Sequence, residues 1–97
     1  TPVTQIEVDG LKLNAIVDTG ADLSVMSETF FSKLPHLYKD KLQSTRMPQI
    51  KGVTGHDLTV LGSIEVPILI GKVSTKAVFE VVKGITKPML IGSDFLS

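Results

Sequence analysis

The stretch Ala15-Ile16-Val17-Asp18-Thr19-Gly20-Ala21 constrains the fold of this 97-residue chain more than any other. Its apolar residues predict the end of a buried strand, and Asp18-Thr19-Gly20 predicts the loop that follows. Such a loop often has only a structural role, in which the aspartate accepts backbone N–H bonds and the glycine adopts a positive φ. Here the buried strand would place the Asp18 carboxylate at the floor of a cleft, where it could also do chemistry.

A β-hairpin is predicted immediately before this loop. Gln5-Ile6-Glu7-Val8 alternates apolar and polar residues, Asp9-Gly10 is a type I′ turn sequence, and residues 11–17 resume the alternation. After the loop, residues 23–26 are predicted as another strand.

A short helix is predicted next, capped by Ser27, with Phe30, Phe31 and Leu34 on one side and a stop at Pro35. Residues 36–47 are polar, and we predict irregular structure there.

Strand signals dominate the second half of the chain. Residues 49–51 and 56–61 predict a hairpin with glycines at its tip, and residues 64–70 and 77–82 predict another, turning at Gly71-Lys72. Pro67 marks its strand as an edge or bulged strand. Residues 89–91 predict a short buried strand, and residues 92–94 predict the start of a helix.

A faint internal repeat joins the two halves. Ile16-Val17-Asp18 and the residues after it match Leu90-Ile91-Gly92 and the residues after that, and each half predicts a hairpin, a buried strand and a loop ending in an apolar residue and serine.

Composition excludes several classes of function. Ten basic and ten acidic residues give a net charge of zero, which argues against a nucleic-acid partner and against a polybasic membrane patch. No apolar run is long enough to cross a bilayer. The chain has no cysteine and two histidines, which argues against disulfides, thiolate chemistry and a metal site, and suits the reducing cytosol.

Three elements resemble the retropepsins, the retroviral-type aspartic proteases. Ile16-Val17-Asp18-Thr19-Gly20-Ala21-Asp22 is similar to their active-site signature, and Leu90-Ile91-Gly92-Ser93-Asp94-Phe95-Leu96 to their second signature. Ile50-Lys51-Gly52-Val53-Thr54-Gly55 stands where the family has its flap. Residues 51–56 and 88–92 resemble proteases of Gypsy-type LTR retrotransposons more than those of well-known retroviruses.

The resemblance implies a mostly-β acid-protease fold. Residues 1–97 would form a single closed, barrel-like domain that carries a flap hairpin. Since the chain carries one Asp-Thr-Gly and the family mechanism uses two aspartates, it also implies one half of a two-fold homodimer. The catalytic group that it implies is Asp18, Thr19 and Gly20. The substrate-binding positions that it implies are Asp22, Leu23, Val25, Lys51, Gly52, Val53, Pro88 and Leu90, with Gly55 also at the flap tip.

The activity implied is aspartic endopeptidase, in which one carboxylate activates a water and the other donates to the peptide carbonyl, with no cofactor or metal. The expected substrate is an extended peptide, which in nature would be part of a Gag-Pol-type polyprotein. The expected location is the cytoplasm or the interior of retroelement particles. Two alternatives stay open. One is a dimerisation or peptide-binding module of this fold with weak or no peptidase activity, and the other is an unrelated small β-barrel in which the three elements are scattered.

Two features depart from the family pattern. Ser93 stands where retroviral proteases usually have an arginine that braces the dimer. Few residues lie outside the matched elements, where the family has the terminal strands of its dimer sheet, so we expect a loosely held dimer. The start at Thr1-Pro2 leads us to expect that the chain is cut from a longer one.

Overall fold

The computed structural model describes residues 2–18, 20–44, 49–51 and 57–96. The predicted N-terminal hairpin is confirmed, since β1 (Val3–Val8) pairs antiparallel with β2 (Leu11–Val17). Asp9 and Gly10 between them have φ values of 50° and 87°. These are the left-handed conformations that both central residues of a type I′ turn require.

Six strands close into a barrel. The remaining strands are β3 (Val25–Ser27), β4 (Gln49–Lys51), β5 (Asp57–Ile70), β6 (Val73–Val82) and β7 (Met89–Ile91). The order β1-β2-β7-β3-β6-β5 returns to its start because β1 also pairs with β5, and β4 pairs with β5 beyond this ring. The mostly-β, barrel-like fold predicted from the sequence is therefore confirmed.

The barrel is filled by alternate residues of its strands. On β5 and β6, opposite pairs such as Ile64 and Phe79 are buried, whereas Glu65 and Val78 beside them are exposed. The main core cluster also takes Phe30 and the neighbouring phenylalanine from the segment after β3. This period-two pattern is the one that the sequence displayed.

Within the described residues, three short helices accompany the strands: α1 (Glu28–Phe31), α2 (Leu37–Lys41) and α3 (Ser93–Leu96). The predicted cap of α1 is confirmed, since the Phe30 N–H donates to Ser27 Oγ at 3.0 Å. The prediction of irregular structure over residues 36–47 is wrong for α2. Its buried residue is Tyr38, which hydrogen-bonds the Asp9 side chain, so a distant contact stabilises a helix that local patterning did not show.

The second correction concerns β5. Residues 56–61 and 64–70 were predicted as separate strands, but Asp57–Ile70 is one strand of 14 residues. A register shift between Val60 and Gly62 keeps it paired with β6. A β carbon on Gly62 would lie 2.6 Å from the Gln43 carbonyl oxygen, so this glycine permits a close approach rather than ending the strand. Pro67 lies beside an edge, as predicted, because the β1 pairing stops at Ile68.

Candidate active site

The Asp18 loop begins where β2 ends and is held by main-chain hydrogen bonds. The Asp18 N–H donates to the Ile91 carbonyl at 2.9 Å, and the Ala21 N–H donates to the Asp18 carbonyl at 3.1 Å. The Gly20 N–H donates to Asp18 Oδ1 at 3.0 Å. One carboxylate oxygen of this half-buried side chain is thus fixed by its own loop, which orients the other.

The second signature lies directly beside the first. Strands β2 and β7 are parallel, with Ile16 opposite Leu90 and Val17 opposite Ile91. These are the residues that the internal repeat aligns. The Ser93 N–H then donates to the Ala21 carbonyl at 2.8 Å, so the two loops support each other.

Close packing at Gly92 leaves no room for a side chain. A β carbon there would lie 2.5 Å from the Leu23 carbonyl oxygen and 2.8 Å from the Ala21 carbonyl oxygen. Contacts below 3.0 Å with backbone atoms cannot be relieved by a side-chain rotation, so the approach of the two loops depends on this glycine.

Ser24 and Asp94 connect the two signatures through their side chains, and neither was predicted from the sequence as a site residue. Ser24 is 1% exposed. Its Oγ accepts the Gly92 N–H at 3.0 Å and donates to Asp94 Oδ1 at 2.7 Å. The signal available in the sequence was the repeat itself, since Ser24 ends the first copy and Asp94 follows the glycine of the second.

A second apolar cluster carries two of the predicted subsite residues. Val25 is buried in it with Val60 and Val82, and Leu90 packs against it from β7, where it stands opposite Val25. Leu58 and Ile85 pack there as well. The structure therefore brings Val25 and Leu90 together, next to the strand that leads into the Asp18 loop.

The other predicted catalytic and substrate-binding positions are more dispersed or fall outside the described residues. Asp22 is exposed, Leu23 and Pro88 are half-buried, and the Pro88 carbonyl accepts the Ser27 N–H at 2.9 Å. Lys51 ends β4 opposite Asp57. The predicted positions outside the described residues are Thr19, Gly52, Val53 and Gly55.

Two absences hold within the described ranges. Among those residues no group of three histidines, cysteines or acids is placed to hold a metal ion. None of the helices described is both long enough and apolar enough to cross a membrane.

Comparison with known proteins identifies the fold. Residues 4–97 match the family model described as "gag-polyprotein putative aspartyl protease". The EIAV protease complexed with the inhibitor HBY-793 superposes with a TM-score of 0.73 at 26% identity, over 98% of this chain and 84% of that one. No curated protein matches the sequence.

Two further solved structures share the fold at lower identity. The retroviral protease-like domain of Ddi1 from Leishmania major has a TM-score of 0.77 at 20% identity, over 97% of this chain and 73% of that one. A retropepsin-like aspartic protease from Rickettsia conorii has a TM-score of 0.59 at 23% identity, over 97% of this chain and 66% of that one. The barrel described above is therefore retropepsin-like.

Proposed function

The chain belongs to the gag-polyprotein aspartyl protease family, and from that premise we propose that it is an aspartic endopeptidase whose active site is shared by two copies of the chain. The observation that carries the proposal is the Asp18 loop. The Asp18 carboxylate follows a barrel strand and is oriented by the Gly20 N–H. The Asp18 main-chain N–H donates to the Ile91 carbonyl of the second signature.

The need for two copies comes from the chemistry. Two carboxylates a few ångströms apart repel when both are ionised, so such a pair keeps one shared proton. The ionised Asp18 removes a proton from water, and the protonated Asp18 of the second copy donates to the peptide carbonyl oxygen. Thr19 would bond across the interface beneath the pair, and Gly20 would lie beside the bond to be cut.

The substrate in this proposal is an extended peptide. Leu23, Val25, Pro88 and Leu90 would line apolar subsites, which the packing of Val25 against Leu90 supports. Asp22 would hold the substrate main chain, and the flap segment that follows Lys51 would close over it. Bonds flanked by large apolar residues would then be preferred.

The biological setting is proposed on the family description. A Gag-Pol-type polyprotein of a retroelement of the Gypsy type would be the substrate, processed in the cytoplasm or within retroelement particles. Residues 1–97 would act as a single protease domain.

The decisive experiment compares Asp18→Asn with Glu28→Gln, an acid-to-amide control at an exposed position on α1. Cleavage of a library of extended peptides should be lost in Asp18→Asn and kept in Glu28→Gln, with circular dichroism showing the same fold in both. Excess Asp18→Asn chain added to wild type should lower its activity by forming mixed dimers, and specific activity should rise with protein concentration.

Two results would contradict the proposal. Turnover retained by Asp18→Asn would remove Asp18 from the mechanism. A wild-type chain that binds peptides without cleaving them at any concentration or pH would instead favour the peptide-binding module.

A further inference from the structure

An open groove of about 630 Å³ lies between α2 and the outer face of β5 and β6, and none of its lining residues belongs to the candidate active site. Its volume is within the range of small-ligand pockets, about 300–1,000 Å³. The residues that line the groove include apolar and charged side chains: Tyr38, Leu42, Glu65, Pro67, Lys76 and Val78.

One edge of β5 faces this groove, and its main chain is hydrogen-bonded at two positions with an unpaired stretch between them. At one end, Ser63 and Gln43 exchange both main-chain hydrogen bonds, each at 2.8 Å. At the other end, the Asp9 N–H donates to the Pro67 carbonyl at 3.3 Å. Since β6 occupies the opposite edge of β5, these bonds define the direction of every second residue of the strand.

Glu65 lies midway between those two residues, so its N–H and C=O point to the same side as theirs. Within the described residues neither group has a hydrogen-bond partner. Glu65 as a whole residue is exposed. A free donor and acceptor on a strand edge form a template for another backbone.

We propose that this groove binds an extended peptide segment of a partner protein, one residue of which pairs its main chain with that of Glu65. The chain itself provides the precedent, because Gln43 already makes a one-residue bridge of this kind with Ser63 on the same edge. Addition of a peptide to an open strand edge is a general mode of recognition.

The surroundings define the chemistry of the peptide. The charged lining residues are two acids and two lysines: Asp40, Glu65, Lys41 and Lys76. This balance suits an uncharged segment and does not suit a nucleic acid. On the face that the paired residue would share with Glu65, Pro67 is exposed and Val78 is 51% exposed, so an apolar side chain has contacts there.

The length of the peptide contact is also limited. Asp9 and Gln43 block the edge four residues apart, from Pro67 to Ser63, which at about 3.4 Å per residue is about 14 Å. The docked segment therefore contacts β5 over about three residues and leaves the edge at both ends.

The test uses the blocked tripeptide acetyl-Ala-Val-Ala-N-methylamide as the probe and amide NMR of the wild-type protein as the readout. In the free protein the Glu65 amide should exchange with solvent faster than the Ser63 amide, which is bonded. Addition of the probe should shift the Glu65 resonance and slow its exchange. The same peptide N-methylated at valine lacks the valine N–H that would donate to the Glu65 carbonyl, and it should bind about tenfold more weakly.

Paired variants complete the test. Glu65→Pro removes the N–H that would pair with the probe and should weaken probe binding about tenfold. It removes no bond to β6, because the Glu65 N–H points away from β6, and β5 already contains a proline two residues further on, Pro67. Glu65→Thr keeps the N–H and should bind as wild type does. Equal binding by both variants, or an unperturbed Glu65 amide in wild type, would overturn the proposal. Protection of the Glu65 amide on concentrating the protein without probe would also overturn it, in favour of a second copy of the chain.

Discussion

Replacing Ser24 by alanine removes the hydroxyl that joins the two signature loops. The Gly92 N–H then loses its acceptor at 3.0 Å, and Asp94 loses its donor at 2.7 Å. The two losses differ in cost because Gly92 is buried, whereas Asp94 is exposed and can bond to water instead.

The magnitude follows from those environments. A buried donor left without an acceptor costs about 1–3 kcal/mol, and the exposed carboxylate should contribute less than about 1 kcal/mol. We expect the free energy of unfolding to fall by about 2–3 kcal/mol. A domain of this size has about 5–15 kcal/mol in total, so the midpoint of thermal unfolding should fall by on the order of 10 °C.

Urea unfolding at one fixed protein concentration measures this, because association of chains would otherwise shift the midpoint. Ser74→Ala, at an exposed position of β6, is the matched control and should stay within about 0.5 kcal/mol of wild type. Asp94→Asn keeps an oxygen acceptor and should lose less than about 1 kcal/mol. If Ser24→Ala unfolds at the same urea concentration as Ser74→Ala, the Ser24 bridge does not stabilise the loops and the reasoning is refuted.

Three further predictions concern stability. Gly92→Ala should cost about 3 kcal/mol in urea unfolding, because the new methyl group would meet the Leu23 backbone at 2.5 Å; a loss below about 1 kcal/mol would show that the loops can separate. Burial, the Asp9 charge and the Asp9 hydrogen bond raise the pKa of Tyr38 above its ordinary 10.0, so folding favours the protonated phenol. Wild type should therefore lose stability relative to Tyr38→Phe as pH rises above about 10. A constant difference in unfolding free energy between the two proteins from about pH 8 to 11 would contradict this. Gly10→Ala should cost about 1 kcal/mol, because Gly10 has a φ of 87°, and an unchanged melting temperature would be inconsistent with the turn geometry.

Local backbone chemistry was sufficient to predict several elements from the sequence. The Asp9-Gly10 turn and the Ser27 cap each depend on residues within three positions of one another, and both were predicted correctly. The signature around Asp18 also identified the family, because its residues are contiguous. The catalytic and subsite roles assigned by resemblance stay predictions.

Tertiary structure decided what depends on distant residues. Helix α2 forms where Tyr38 reaches Asp9, and β5 continues through Gly62 because that glycine packs against the chain at Gln43. Ser24 and Asp94 are 70 positions apart, and the pairing of β7 with both β2 and β3 brings them together. A sequence pattern reports how each residue constrains its neighbours, whereas these contacts arise when the barrel closes and buried polar groups must find partners across it.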